Sequence, residues 1–493
     1  MVRRAARSAR AFALHLAGCP SRCIRGRAKS LTPKCGSPSI LFLQPHAQWY
    51  SRRGDDLLRP RYQRGYWFGS PEGHQRFFAF TGSSRTSPLA AGLTRKRLRA
   101  YATILAATLW TVWLVDMSVS GPTDRLGKVK GTDFLHFYVM GSIAHEGRWE
   151  QLFDVQANYA RAQAVVPGSA DILYIPIESP QMALVFAPLA AHRYTVALAL
   201  WLAVVFAMYA CSCFLTWRDC TALHAHRYIV VASCVAFPGL YSEVLHGQTA
   251  CFALAAVAIA LVALRRERKF AAGLALGFLV FKPHWVVAAG AVFFFAREWR
   301  VVAGAVVAAV AQVAVTYLIL GASVMSAYWR MLRAIPRIAD LLEPQPGDSL
   351  RGLFKVLMPF EPAALLLYGA AAFVTLLITA NVWRSDAPVE IRLSAIVLAV
   401  ILISPHVNAY DLILLAPIGF LLANWLVLSA GDSRGRALST WLCIVMAAPI
   451  SRGLPAILRL QFSVTAMAAI LFLLWRIACR DVSGLQRTHA GVA

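Results

Sequence analysis

Five groups of polar residues interrupt an otherwise apolar chain: Asp133, His246 with Gln248, Lys282 with His284, Arg351, and the run SPHVNAYD containing His406, Tyr410 and Asp411. Their types suit transfer of a group from an anionic leaving group to a hydroxyl. An ionised carboxylate accepts the proton of an attacking hydroxyl, while Lys, His and Arg meet the charge on a departing phosphate. Asp133 is the candidate base, because the apolar residues after it set a helix whose first turn fixes the carboxylate. Asp116 and Asp124 rank below it, since Asp124 stands beside Arg125 in a polar stretch with no apolar helix to hold it.

Lys282 lies between apolar stretches, where an unpaired ammonium costs several kcal/mol unless it snorkels or meets an anion such as a phosphate. His284 follows Pro283 and is its candidate helper. His406 donates one hydrogen bond as a neutral imidazole and adds charge as a cation. Tyr410 and Asp411 are candidate partners for sugar hydroxyls, with His246 and Gln248 lining the same chamber and Arg351 a candidate phosphate or acceptor contact. Each residue also has a plainer account: Asp133 as a helix cap, Lys282 as an interfacial anchor, Ser404 to Asp411 as a polar turn, and Arg351 as an exposed partner of Asp348. Trp149, Tyr328 and Trp329 suit sugar stacking and equally suit interfacial anchoring. The sequence has no Gly-rich phosphate loop and no metal-ligand spacing, so we expect no cofactor and no metal, with a lipid-linked sugar as co-substrate.

The elements that position these residues belong in a membrane. Of 493 residues, 58% are hydrophobic and only 15% charged, and the mean hydropathy is +0.56. Runs near the roughly 20 residues that cross a bilayer recur from Tyr101 onward. We assign twelve spans: Tyr101–Val119 and residues 195–216, 227–243, 249–264, 270–281, 284–296, 301–320, 363–383, 391–404, 411–429, 437–450 and 459–476. The pair flanking Lys282 and Pro283 is too short to cross fully, so a broken or re-entrant hairpin is expected. Gln181 to Ala190 reads as a short interfacial or re-entrant helix. The fold class is an all-α polytopic membrane bundle of about 11–13 transmembrane helices.

Basic clusters fix the sides, because short cytoplasmic loops retain Lys and Arg. Arg95, Lys96, Arg97 and Arg99 precede the first span, which places residues 120–178 and 321–362 outside together with all five polar groups. Gly131 to Asp154 carries apolar residues at helical spacing and predicts an amphipathic helix along the membrane surface. The net charge of +25 is concentrated: residues 1–100 hold 20 Lys and Arg against three acids, which leaves +8 for the rest. Once located, that charge is no nucleic-acid signal: the arm reads first as an upstream extension of little functional weight, including a start codon placed too early, then as an organelle-type transit segment, with contact to anionic membrane lipids a further reading. Residues 1–98 read as a disordered basic extension, 99–480 as the membrane domain and 481–493 as a short cytoplasmic tail. The ten cysteines contain no CxxC pair and read as small core residues.

Several segments resemble the polyprenyl-phosphate-mannose-dependent mannosyltransferases of glycosyltransferase family 87, in the type C superfamily. They are the Asp133-Phe134 pair followed by Phe137 and Tyr138, the segment YIPIESPQMALVFAPLA, the HGQ at 246–248, FKPHW at 281–285 and SPHVNAYD at 404–411. The chain departs from the family pattern at Thr249, Ala250 and Cys251, where an Asn is frequent, and at Pro176 and Pro180, which stand in place of a Pro-Pro pair. The resemblance implies an inverting transfer of mannose from a polyprenyl phosphate to an outward-facing lipid or glycan acceptor. It also implies a first-loop Asp base, at Asp133 by position, and a multi-pass location with the site outward, in a bacterial plasma membrane. The competing reading is a transporter or lipid flippase, which would place its coupling residues near the midplane and show paired repeats; none is found here.

Overall fold

Apolar runs in lipid satisfy their backbone polar groups only within helices or closed barrels, and this chain uses helices. The computed structural model describes residues 94–169, 175–342, 347–429, 433–448 and 461–490, so most of the basic extension 1–98 and the side chains of the tail lie outside the described residues. Among these residues the β pairing is one isolated bridge, Thr123 with Val129. The described residues fall within one unit.

Among the described residues, seven helices are long and apolar enough to cross a membrane: Arg95–Met117, Tyr194–Arg218, Thr221–His246, Trp299–Ile335, Glu361–Arg384, Asp411–Leu428 and Phe462–Cys479. Five more apolar helices are shorter: Pro180–Ala190, Ala250–Arg265, Lys269–Phe281, Pro283–Phe295 and Gly435–Ala447. The protein is therefore an integral multi-pass membrane protein. Helices are numbered here as α1 (Arg95–Met117), α2 (Thr132–His145), α3 (Val155–Val165), α4 (Pro180–Ala190), α5 (Tyr194–Arg218), α6 (Arg227–Val235), α7 (Pro238–His246), α8 (Ala250–Arg265), α9 (Lys269–Gly277), α10 (Pro283–Phe295), α11 (Trp299–Leu342), α12 (Leu350–Leu357), α13 (Glu361–Arg384), α14 (Val389–Ile403), α15 (Leu415–Leu428), α16 (Ser433–Ala447) and α17 (Phe462–Ala490). The hairpin flanking Lys282 is indeed short, with a four-residue 3-10 turn, Phe278–Phe281, ending its first arm. Helix α11 breaks at Gly321 (φ 80°, ψ 173°), where the expected span 301–320 gives way to the second outer segment.

Lipid offers no hydrophobic drive between helices, so close backbone approach through small residues does the packing. Gly273 and Gly277 on α9 meet Gly304 and Ala305 on α11, and a Cβ on any of the three glycines would collide with a backbone carbonyl of the facing helix. That contact sets the direction of α9 and hence the position of Lys282 at its far end.

One expectation is corrected by the structure. Helix α2 does not lie along a surface: Phe134, Leu135 and every residue from Phe137 to Ala144 are buried. It is walled by α4, where Gly141 sits against the Phe186 backbone and Phe137 stacks on Phe186 with ring centroids 5.0 Å apart. A helix apolar on all sides belongs inside the protein.

Polar groups divide between opposite ends of the same helices. At one end Arg265 pairs with Glu390 at 3.0 Å and Lys269 with Glu298 at 3.0 Å, while the Trp383 indole donates to Glu298 at 2.8 Å. These residues terminate α8, α9, α10, α13 and α14. The opposite ends of α8, α9, α10 and α14 reach Thr249, Lys282, Pro283 and Ser404, which border the candidate site.

Candidate functional site

The approach to Asp133 is built by the loop after α1. Asp124 closes a turn by accepting from the backbone N–H of Leu126 at 2.9 Å and Lys128 at 2.8 Å, which accounts for this carboxylate structurally. The buried Lys130 ammonium donates to the carbonyls of Val119 and Gly121, and the Tyr194 hydroxyl donates to the carbonyls of Lys130 and Gly131. Gly131 then adopts a left-handed conformation and α2 begins, with Asp133 in its first turn.

Gln248 fixes the carboxylate. Its amide Nε2 donates to Asp133 Oδ2 at 2.8 Å, and its Oε1 accepts from the Thr249 N–H at 3.1 Å. Gly247, the left-handed cap of α7 (φ 64°), makes this reach possible: a Cβ there would fall 2.7 Å from Phe134 Cβ. The Trp201 indole donates to the Gly247 carbonyl at 3.0 Å. With Oδ2 held, Oδ1 is left to accept a proton. A hydrogen bond to a charged group contributes about 1.5–3 kcal/mol. Gln248→Leu is therefore expected to lower turnover roughly 10- to 100-fold at unchanged protein yield, as read from initial rates; full activity would show that the contact does not position the carboxylate.

His136, one turn on, is half-buried, and burial lowers its pKa to about 4 against a smaller opposing pull from Asp133. The folded pKa lies below the unfolded value of about 6.5, so this group costs stability as pH falls from about 6.5 toward 4, by up to about 3 kcal/mol. The thermal midpoint of purified protein should fall across that window. His136→Gln should flatten the fall, and an unchanged slope would contradict this.

The second half of the site comes from the broken hairpin and the α14–α15 link. Lys282 Nζ lies 3.2 Å from Asp411 Oδ1 and 5.3 Å from the centre of the Tyr410 ring. Burial works against the ammonium, but Asp411, then Glu178 and Glu243, outweigh it and hold its pKa above the ordinary lysine value. Asp411 Oδ2 accepts from the Asn408 N–H at 2.9 Å, so both carboxylate oxygens are engaged by the protein. Asp411 thereby neutralises Lys282 and closes the turn, and each of its oxygens keeps a lone pair for a further donor such as a sugar hydroxyl. Lys282 thus meets an anion of the protein itself, and an ammonium has three donors, of which one faces Asp411.

His406 and His284 sit edge to face, with centroids 5.6 Å apart, and His284 Nε2 is buried with no partner among the described atoms. Asn408 Nδ2 donates to the Tyr410 hydroxyl at 2.7 Å, and the rings of Tyr410 and His246 are 5.7 Å apart. His246 Nδ1 lies 2.8 Å from the Ser242 carbonyl. Eight of the nine sequence candidates, from Asp133 to Asp411, therefore belong to one constellation. Arg351 stands at its edge beside Tyr368, whose hydroxyl donates to the Ile403 carbonyl at 2.6 Å. The Asp348 N–H donates to the Val407 carbonyl at 2.7 Å, which ties the segment before α12 to the same turn. Trp329 is 58% exposed and points away from the core.

Two carboxylates escape the sequence reading. Glu243, on α7 and fully buried, accepts from the Cys251 N–H at 2.9 Å. Glu178, in the link before α4, is half-buried and faces Lys282, His406, Asp133 and Asp411; burial raises its pKa, with the two cations opposing. An acidic residue inside an apolar run was the available signal for both. Among the described residues no three His, Cys, Asp or Glu side chains gather to hold a metal ion.

In the comparisons with known proteins, the family model of Glycosyltransferase family 87 matches residues 177–405. That range includes Glu178, His246, Gln248, Lys282, His284 and Arg351 and stops short of Asp133, His406, Tyr410 and Asp411. No curated protein and no solved structure matches the chain.

Proposed function

The chain carries a glycosyltransferase family 87 domain and is a multi-pass membrane enzyme, and from this premise we propose that it transfers a hexose, mannose by family resemblance, from a polyprenyl phosphate to an outward-facing lipid or glycan acceptor. The observation that carries the proposal is the hydrogen bond that orients Asp133 within one constellation with Lys282 and His406. A carboxylate at one end and cations at the other are the two poles that an in-line displacement on a sugar phosphate needs.

Asp133 Oδ1 takes the acceptor hydroxyl proton as that oxygen forms its bond to the anomeric carbon. The anomeric bond to the phosphate oxygen breaks with inversion, and the polyprenyl phosphate leaves with its charge met by Lys282 and His406. His284 and Arg351 are the further donors for the phosphate in this reading. The ring of Tyr410 lies beside the Lys282 ammonium, and Asp411 pairs with it. Basic residues concentrated at the opposite helix ends favour a cytoplasmic location for those ends and an outward site, as in a bacterial plasma membrane.

The test is to incubate purified, lipid-reconstituted protein with radiolabelled polyprenyl-phosphate mannose and a lipid extract. Labelled product with release of free polyprenyl phosphate is the expected result. Intact donor moved between leaflets without release of carrier would make the protein a flippase and overturn the proposal.

A further inference from the structure

The transferred sugar has to lie between Asp133 and the Lys282–His406 pair, because the acceptor oxygen attacks its anomeric carbon from one side while the phosphate departs from the other. The Glu178 carboxylate lies within electrostatic reach of both ends of that gap, of Asp133 on one side and of Lys282 and His406 on the other. It forms no ion pair among the described residues, unlike Asp411, and so keeps its oxygens available. Its backbone is held firmly. Ile175 and Ile177 pack on Met331, Phe153 and Val155, the Ile177 N–H donates to the Ile175 carbonyl at 2.9 Å, and Pro180 starts α4 two residues later.

Two buried hydroxyls beside it are unsatisfied. Those of Ser179, 1% exposed, and Tyr328, 7% exposed, have no partner among the described atoms. Tyr328 lies within electrostatic reach of Glu178, and its ring packs 5.4 Å from that of Phe153. Buried polar atoms are ordinarily hydrogen-bonded, so two orphaned hydroxyls beside one carboxylate mark the place of a polyhydroxylated ligand. A carboxylate accepts from two neighbouring hydroxyls at once, whereas the orphaned hydroxyls exchange single bonds.

We propose that Glu178 is the sugar-recognising residue of this enzyme, accepting hydrogen bonds from ring hydroxyls of the hexose while Asp133 and the Lys282–His406 pair act on its anomeric carbon; this rests on the transfer reaction proposed above. The site thereby distinguishes sugars by the hydroxyls that reach Glu178. A hydroxyl bonded to a charged group discriminates against an analogue that lacks it, because the carboxylate is then left unpaired.

The test is a cycle of enzyme against substrate. With polyprenyl-phosphate mannose, Glu178→Gln should lower kcat/KM about 10- to 100-fold, and Glu178→Asp should recover part of the loss. Against donors deoxygenated at single ring positions, the gap between wild type and Glu178→Gln should collapse for one or two positions and persist for the others. An equal gap with every donor would overturn the proposal, since a merely structural role acts on all alike, as would a variant with full activity. A turnover-independent measurement separates failure of the transfer reading from failure of this one. Glu178→Cys, labelled with a water-soluble maleimide and read by mass spectrometry at that position, should be protected by polyprenyl-phosphate hexose and not by polyprenyl phosphate alone. Equal protection by both lipids would remove Glu178 from the sugar, whether or not transfer is observed.

Discussion

Asp133→Asn should reduce kcat/KM about 10³-fold or more while the protein inserts, folds and binds donor as the wild type does. General-base catalysis contributes roughly 10²- to 10⁴-fold, and the upper part of that range is expected where no other oriented carboxylate is aimed at the acceptor. The substitution is conservative in shape: the new amide oxygen still accepts from Gln248 Nε2 where Asp133 Oδ2 does now, at 2.8 Å. What is lost is the ability to take a proton. Donor binding should be unaffected, since Lys282 and His406 lie at the other end of the sugar, so the loss belongs in kcat rather than in KM. Normal turnover by correctly inserted Asp133→Asn would move the base to another residue, Glu178 being the next carboxylate facing the site.

The second large effect concerns the buried ion pair. Lys282→Met removes the cation from three carboxylates, Asp411, Glu178 and Glu243, of which Asp411 is 1% exposed and Glu243 fully buried. Breaking one partner of a buried pair costs about 3–5 kcal/mol, because the remaining charge is left without compensation. Lys282→Met and Asp411→Asn should each lower the thermal midpoint markedly. The double variant, with both charges removed, should recover most of the stability yet remain inactive, because the leaving phosphate has lost its ammonium. A double variant that regains activity would show Lys282 to be structural only. A stable Lys282→Met would show that the carboxylates are already neutral.

Much of the arrangement is legible before any coordinates. The apolar runs and the short arms around Lys282 and Pro283 follow from length and hydropathy, and Asp133 follows from an acid placed at the start of an apolar helix. Long-range partnership is not legible. Lys282 and Asp411 are 129 residues apart, and Asp133 and Gln248 are 115 apart; nothing local in either segment names the other. The burial of α2 was misread because Phe134, Phe137 and Ala144 satisfy a surface stripe as readily as an interior helix. The difference lies in Gly141, whose missing Cβ admits the Phe186 backbone of a helix some 40 residues on. Glu178 and Glu243 are not legible as site residues because each stands alone in its run, and a single acid in an apolar segment states a cost without stating its partner. The family match from 177 to 405 likewise takes in Gln248 and Lys282 and leaves out their partners Asp133 and Asp411.

The central claim is that remote segments form one pocket on one side of the membrane, with Asp133 and His406 at its two ends. Single cysteines placed at positions 133 and 406 in sealed vesicles of known orientation, treated with a membrane-impermeant maleimide from either side, test it most directly. Labelling of both positions from the same side, and protection of both by polyprenyl-phosphate mannose, is the predicted result. Labelling of the two positions from opposite sides would contradict it.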